Sequence, residues 1–152
     1  MAEPLDYPQS PPEQPANGAA TPTSCVIRVR FAETDQMGVA HHSVYPVWFE
    51  ASRVEWMRVR GLSYREMEAS GLSLAVSRLE VSYRSAAYFD DEIDVRSRLV
   101  SVRSRGLLFD YRLVRLDDDR LIATGVSEHV PTDRSGRAVR LPARWLEPLR
   151  RQ

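Results

Sequence analysis

A chain of 152 residues is the length of one domain, and a hydrophobic fraction of 43% is enough to build its core. The 21 basic residues, all arginine, balance 21 acidic ones, so the formal net charge is zero and no global field favours nucleic acid or an anionic membrane. The single cysteine, Cys25, excludes an internal disulfide, no apolar run approaches the roughly 18 residues of a membrane span, and no basic-then-apolar secretory signal is visible, so a reducing, cytoplasmic setting is expected.

Met1 to Ser24 carries six of the ten prolines and almost no large apolar side chains, so burial cannot offset the entropy of ordering it. Residues 1–24 are expected to form a flexible tail and residues 25–149 a folded domain. From Cys25 the pattern changes: Ile27, Val29 and Phe31 alternate with Arg28, Arg30 and Ala32, the period of a strand with one buried face, expected over Cys25–Glu33. A helix of about five turns follows, with Ser43 as N-cap, Pro46 in the first turn where its missing N–H costs nothing, and Gly61 as the stop. Its apolar residues fill two flanks, Val44, Val47, Trp48, Ala51 and Val54 on one and Tyr45, Phe49 and Trp56 on the next. Most of the circumference of about its first three turns therefore has to be covered.

Ser63 caps a short second helix over Tyr64–Ser70, closed by Gly71. Four strand-like segments then run over Ser73–Ser85, Glu92–Ser104, Gly106–Leu116 and Arg120–Thr132. They are joined at Asp90-Asp91, Arg105-Gly106 and Asp117-Asp118-Asp119, short connections that point to an antiparallel meander. One long buried helix followed by consecutive strands is an α+β plan in which a curved antiparallel sheet wraps the central helix.

The stretch with most chemistry is Thr34-Asp35-Gln36-Met37-Gly38-Val39-Ala40-His41-His42, a carboxylate, a glycine and two imidazoles at a strand-to-helix junction where backbone donors and a helix dipole converge. Asp35 either caps the turn, as Thr-Asp before a glycine commonly does, or supplies a carboxylate to a ligand. A metal site is not expected: adjacent histidines rarely ligate one ion, the third histidine is His129, and no cysteine partner is arranged nearby. Glu50 is a second carboxylate on the central helix, and Arg53 three residues on is placed to pair with it.

The run from Phe31 to Tyr45, followed by Phe49-Glu50-Ala51-Ser52-Arg53, resembles the signature of hotdog-fold acyl-CoA thioesterases of the 4-hydroxybenzoyl-CoA thioesterase type. Val81-Ser82-Tyr83-Arg84-Ser85-Ala86-Ala87 and Asp90-Asp91-Glu92-Ile93 are similar to that family's next strand and turn, so the likeness extends from Val26 to about Pro142. The resemblance implies a hotdog fold and hydrolysis of an acyl-CoA. Asp35 would be nucleophile or general base, and the His42 backbone N–H the oxyanion donor. Gly38 would let the loop bend toward the thioester. His41 stands where many members carry tyrosine, and its role stays open. Tyr45, with Trp48, Phe49 and Trp56, lines an acyl pocket or packs the core, while Arg84, Arg103 and Arg105 meet the phosphates of coenzyme A or are solvated.

No cofactor is implied. The family's habit of joining sheets edge to edge implies a homodimer or a homotetramer, with each active site built from both chains. Two other readings of the same fold remain: a non-catalytic acyl-CoA-binding or regulatory module, and a hydratase or dehydratase. The acyl group, and the choice between coenzyme A and an acyl carrier protein, are not written in the sequence.

Overall fold

Alternation of apolar and polar residues produces five antiparallel strands in the computed structural model, which describes residues 21–151: β1 (Thr23–Arg28), β2 (Ser73–Tyr83), β3 (Glu92–Arg103), β4 (Gly106–Arg115) and β5 (Arg120–Thr132). The expected tail lies outside the described residues as far as residue 20. β1 begins at Thr23, because Thr23 and Ser24 pair with Ser97 and Arg96 and the Ser24 hydroxyl donates to the Asp94 carboxylate. It also ends early, at Arg28. Phe31–Glu33 forms a 3-10 turn instead, held by the Glu33 carboxylate accepting from the Arg30 N–H at 2.8 Å.

The strand order is β1-β3-β4-β5-β2. The expected meander holds for β3, β4 and β5, but β2 lies at the far edge, paired with β5 rather than β3. The reason is the connection after β2, which is no tight turn at Asp90-Asp91. Residues 84–91 cross the ends of the strands and take backbone partners along the way. Ser85 N–H donates to Ile122 at 3.1 Å, Tyr88 bridges to Val39, and Val29 exchanges bonds with Asp90 and Asp91 at 2.9 Å.

The long helix, α1 (Tyr45–Arg58), crosses one face of this sheet, and side-chain size decides how closely. Inward positions on β4 are large (Leu107, Phe109, Tyr111, Leu113), whereas their register partners on β5 include Ala123, Gly125 and Ser127. Phe49 fills the resulting trough: its ring stacks on Tyr111 at 4.2 Å, and a Cβ on Gly125 would stand 2.5 Å from it. Two turns on, Trp56 meets Phe109 edge-on at 5.4 Å. Between them the Ser52 hydroxyl donates to the Val95 carbonyl at 2.8 Å, bonding helix to sheet.

The helix is shorter than expected because a 3-10 turn, His42–Val44, precedes it, while Gly61 (φ 72°) ends the turn beyond it as anticipated. α2 (Tyr64–Ala69) carries its Ser63 cap, the hydroxyl accepting from Glu66 N–H at 3.1 Å. α3 (Ala143–Arg150), absent from the sequence reading, buries Trp145 and Leu149. Its eight residues are amphipathic, but they make only about two turns and include Pro148, which argues against a helix interior. Within this chain the sheet covers Tyr45, Trp48, Phe49, Ser52, Arg53, Trp56 and Met57 but leaves Val47 and Val54 in the open, so coverage of most of the circumference is not supplied by one copy.

The expected Glu50–Arg53 pair does not form. Glu50 is exposed, whereas Arg53, 8% exposed, is drawn beneath the helix to the Tyr111 hydroxyl, since burying its stem against the core is favoured over reaching out to solvent. From Tyr111 a buried polar chain continues through the Ser127 hydroxyl to His129 Nε2, each contact 2.7 Å. Burial first, and the Arg53 cation second, push the His129 pKa down to about 4.

Two outcomes are expected from this packing. Gly125→Ala forces the new methyl into Phe49 and the Glu80 carbonyl and costs about 1–3 kcal/mol of stability, measured by urea unfolding. An unfolded His129 titrates near its ordinary 6.5 and binds protons that the folded one refuses, so stability falls as pH drops from about 6.5 to about 4, by on the order of 3 kcal/mol. His129→Gln, which acquires no charge, shows a flatter profile across that window.

Candidate active site

Beyond β1 the chain is anchored before it turns. Glu33 is buried, and its carboxylate accepts from the Arg30 N–H, the Arg30 guanidinium at 3.0 Å and the Trp48 indole at 3.2 Å. Burial pushes this carboxyl up, but the hydrogen bonds outweigh it and hold the group below its ordinary value. A fixed charge thus pins the loop's entrance to α1. Sequence reading passed over Glu33, although the spacing from Arg30 is that of a capping box, which forms here.

Asp35 opens a tight loop closed by the Thr34–Ala40 bridge. Its N–H donates to Val39 at 2.9 Å and its carbonyl accepts from Gly38 at 2.9 Å, a geometry that Gly38 permits with φ 76°. The capping reading of Asp35 describes one oxygen only: Oδ1 accepts from Met37 N–H at 2.8 Å. Oδ2 has no partner among the described residues.

The amides that follow are disposed of one by one. Ala40 N–H donates to Ala87 at 2.7 Å, His41 N–H to Glu33 at 2.8 Å, and Val44 N–H to the His41 carbonyl at 3.1 Å. Ser43 N–H donates to His41 Nδ1 at 3.3 Å, which also lies 2.8 Å from the Ser43 hydroxyl. The role left open for His41 is therefore that of N-cap to the 3-10 turn, in place of Ser43, with Nδ1 as acceptor. Of residues 40–44 only His42 N–H has no acceptor among the described residues. It sits at the positive end of the turn that leads into α1, on the same loop as the free Asp35 oxygen.

The remaining sequence candidates divide by their position along the sheet. Tyr45 is buried, its ring 4.8 Å from Trp48 and edge-on to Tyr83 at 4.9 Å, and desolvation with the neighbouring Tyr83 pushes its hydroxyl up to about 12. Arg84 follows β2 at the Asp35 end, its N–H on Ile122 at 2.8 Å. Arg103 and Arg105 do not join them. They mark the β3–β4 hairpin at the opposite end, about 33 Å along the strands from Ile93. His129, facing Leu107 at that same far end, is likewise remote from His41 and His42. Among the described residues no group of three or more His, Cys, Asp or Glu side chains is placed to hold a metal ion.

Exposed apolar side chains surround the loop: Phe31 and Met37 are 76% and 79% exposed, and Phe31 meets Phe89 edge-on at 5.8 Å. A groove of about 370 Å³ opens elsewhere, between Val54, Leu62 and Tyr64 with Arg58 and Arg65 on its rim. It touches neither Asp35 nor His42, lying about 18 Å along the helix axis from the latter. Tyr83, at the end of β2, was not singled out by sequence; its hydroxyl donates to the His42 carbonyl at 2.7 Å, a contact no local pattern announces.

The thioesterase-like superfamily profile matches residues 29–149 of this chain. The chain belongs to that superfamily. Its fold is the hotdog fold, a curved antiparallel sheet against one long helix. A hypothetical protein from Thermus thermophilus is similar in structure, with a TM-score of 0.80 and 41% identity over 85% of this chain and 95% of that one. A DHNA-CoA thioesterase from Staphylococcus aureus has a TM-score of 0.80 at 27% identity, covering 84% and 87% of the two chains. In sequence, the acyl-CoA thioester hydrolase YbgC of Escherichia coli is 28% identical over 95 residues, 62% of this chain and 71% of that protein. Among the described residues of this superfamily member, no helix is long and apolar enough to cross a membrane.

Proposed function

We propose that this chain is an acyl-CoA thioesterase that hydrolyses the thioester to the free acid and coenzyme A. The observation that carries this reading is the open His42 N–H on the same loop as an Asp35 carboxylate with one oxygen unused. The names of the Escherichia coli and Staphylococcus aureus relatives support a coenzyme A thioester as the substrate. The thioester oxygen accepts from His42 N–H, and the free Asp35 oxygen either attacks the carbonyl carbon or takes a proton from the water that does. Collapse of the tetrahedral species breaks the C–S bond and expels the thiolate, a leaving group good enough for a carboxylate-assisted attack; where Asp35 itself attacks, water then cleaves the resulting anhydride to the free acid and restores the carboxylate. One well-aimed donor to the developing oxyanion contributes about 3 kcal/mol.

A second copy completes the site in this reading. β2 is an edge strand exposing Val76 and Leu79, and α1 leaves Val47 and Val54 uncovered. Pairing β2 with β2 of another copy removes the unpaired edge and covers that helix face. Because such pairing is antiparallel, it brings the hairpin end of the second copy, with its Arg103 and Arg105, to the side where this copy holds Asp35. A homodimer, or a dimer of dimers, follows.

Thiol release from a panel of acyl-CoAs tests the activity. Wild type is expected to hydrolyse at least one, and Asp35→Asn to lose about 10²–10⁴-fold in kcat with an unchanged unfolding midpoint. Binding without thiol release from any member makes the protein a binding module instead; full activity in Asp35→Asn removes Asp35 from the chemistry. Light scattering is expected to give two or four chains per particle, and a monomer at assay concentration overturns the shared site.

A further inference from the structure

The local i→i+3 bond of the 3-10 turn uses one of the two lone pairs of the His42 carbonyl. A second donor comes from 41 residues away: the Tyr83 hydroxyl, 2.7 Å from the His42 carbonyl. The Tyr83 ring is held for this task, edge-on against the buried Tyr45 at 4.9 Å. On its other side the same His42–Ser43 peptide has its N–H on His41 Nδ1. Both polar groups of that peptide are thus tied to side chains, one local and one from the sheet edge.

We infer that Tyr83 is a positioning residue for the oxyanion donor. By donating to the His42 carbonyl, it clamps the His42–Ser43 peptide and keeps the preceding N–H, that of His42, aimed outward and unshared. The inference rests on the thioesterase reading for its catalytic consequence, but the clamp itself is a property of the fold. Half-exposed as it is, the Tyr83 hydroxyl has water available. Its bond to a main-chain carbonyl therefore adds little to stability and acts chiefly on orientation.

The test compares wild type with Tyr83→Phe on one acyl-CoA that wild type hydrolyses. Tyr83→Phe keeps the ring on Tyr45 and deletes only the hydroxyl. Its kcat is expected to fall about tenfold with KM within about twofold, and with unchanged oligomeric state and melting temperature. Unchanged kcat in Tyr83→Phe overturns the proposal, as does a loss that appears in KM or that accompanies dissociation of the protein. Amide hydrogen exchange reads the clamp without any substrate. Ser43 is expected to exchange about tenfold faster in Tyr83→Phe while the interior of α1 is unaffected, and equal exchange at Ser43 overturns the clamp. If wild type hydrolyses no acyl-CoA, the functional reading fails while this exchange result still decides the clamp.

Discussion

The contact between the Phe49 ring and the bare backbone of Gly125 fixes how α1 seats on the sheet, and the site is built on the helix so seated. α1 runs closest to β3 and β1, while small residues on β5 beside large ones on β4 leave a trough that the Phe49 ring reaches across to fill, until aromatic ring meets main chain. The first turn of α1 meets the end of β2, the strand next to β5, where Tyr83 touches both Tyr45 and the His42 carbonyl. A methyl group on Gly125 would push into the ring that holds this seat.

What the site consists of is chiefly main chain, arranged by subtraction. Four of the five amides from Ala40 to Val44 are consumed by Ala87, Glu33 and His41, leaving one donor at the positive end of a helix. The side chains nearby serve this arrangement more than they compete for a ligand: His41 caps, Glu33 anchors, and Asp35 spends one oxygen on its own turn. In the proposed reaction, a donor left unshared by its own fold would serve the developing oxyanion without an existing bond being broken first. The Glu33 carboxylate is buried with hydrogen bonds from Arg30 and the Trp48 indole, and Arg53 is buried beside the Tyr111 hydroxyl.

Local patterns predicted much of this well. Four strands, both flanking helices and the loop with its Gly38 turn lie where alternation, caps and glycines placed them, since each depends on neighbours a few residues apart. Errors gathered where the partner is distant. β2 reads like any alternating strand, and nothing in Ser73–Tyr83 says whether its edge meets β3 or β5; the crossing of residues 84–91 decides that through bonds to Ile122, Val39 and Val29. Arg53 at helical spacing from Glu50 looked paired, but the buried Tyr111 hydroxyl held it more closely than an exposed carboxylate. α3 is amphipathic, but it is short and holds Pro148, a residue that argues against a helix interior.

The amino-acid sequence by itself determined the composition of the site and its scaffold: one carboxylate, one glycine and two histidines between a strand and a helix, in a chain whose periodicities suffice for an α+β domain. Only the tertiary structure decided which of those groups are free. It showed His41 occupied and the His42 amide open, separated Arg103 and Arg105 from Asp35 by the length of a sheet, and brought the Tyr83 hydroxyl from 41 residues away to the His42 carbonyl. The physical reason is that propensity and periodicity act over one or two turns, whereas the satisfaction of a buried or directed polar group depends on whichever distant segment the packing brings beside it.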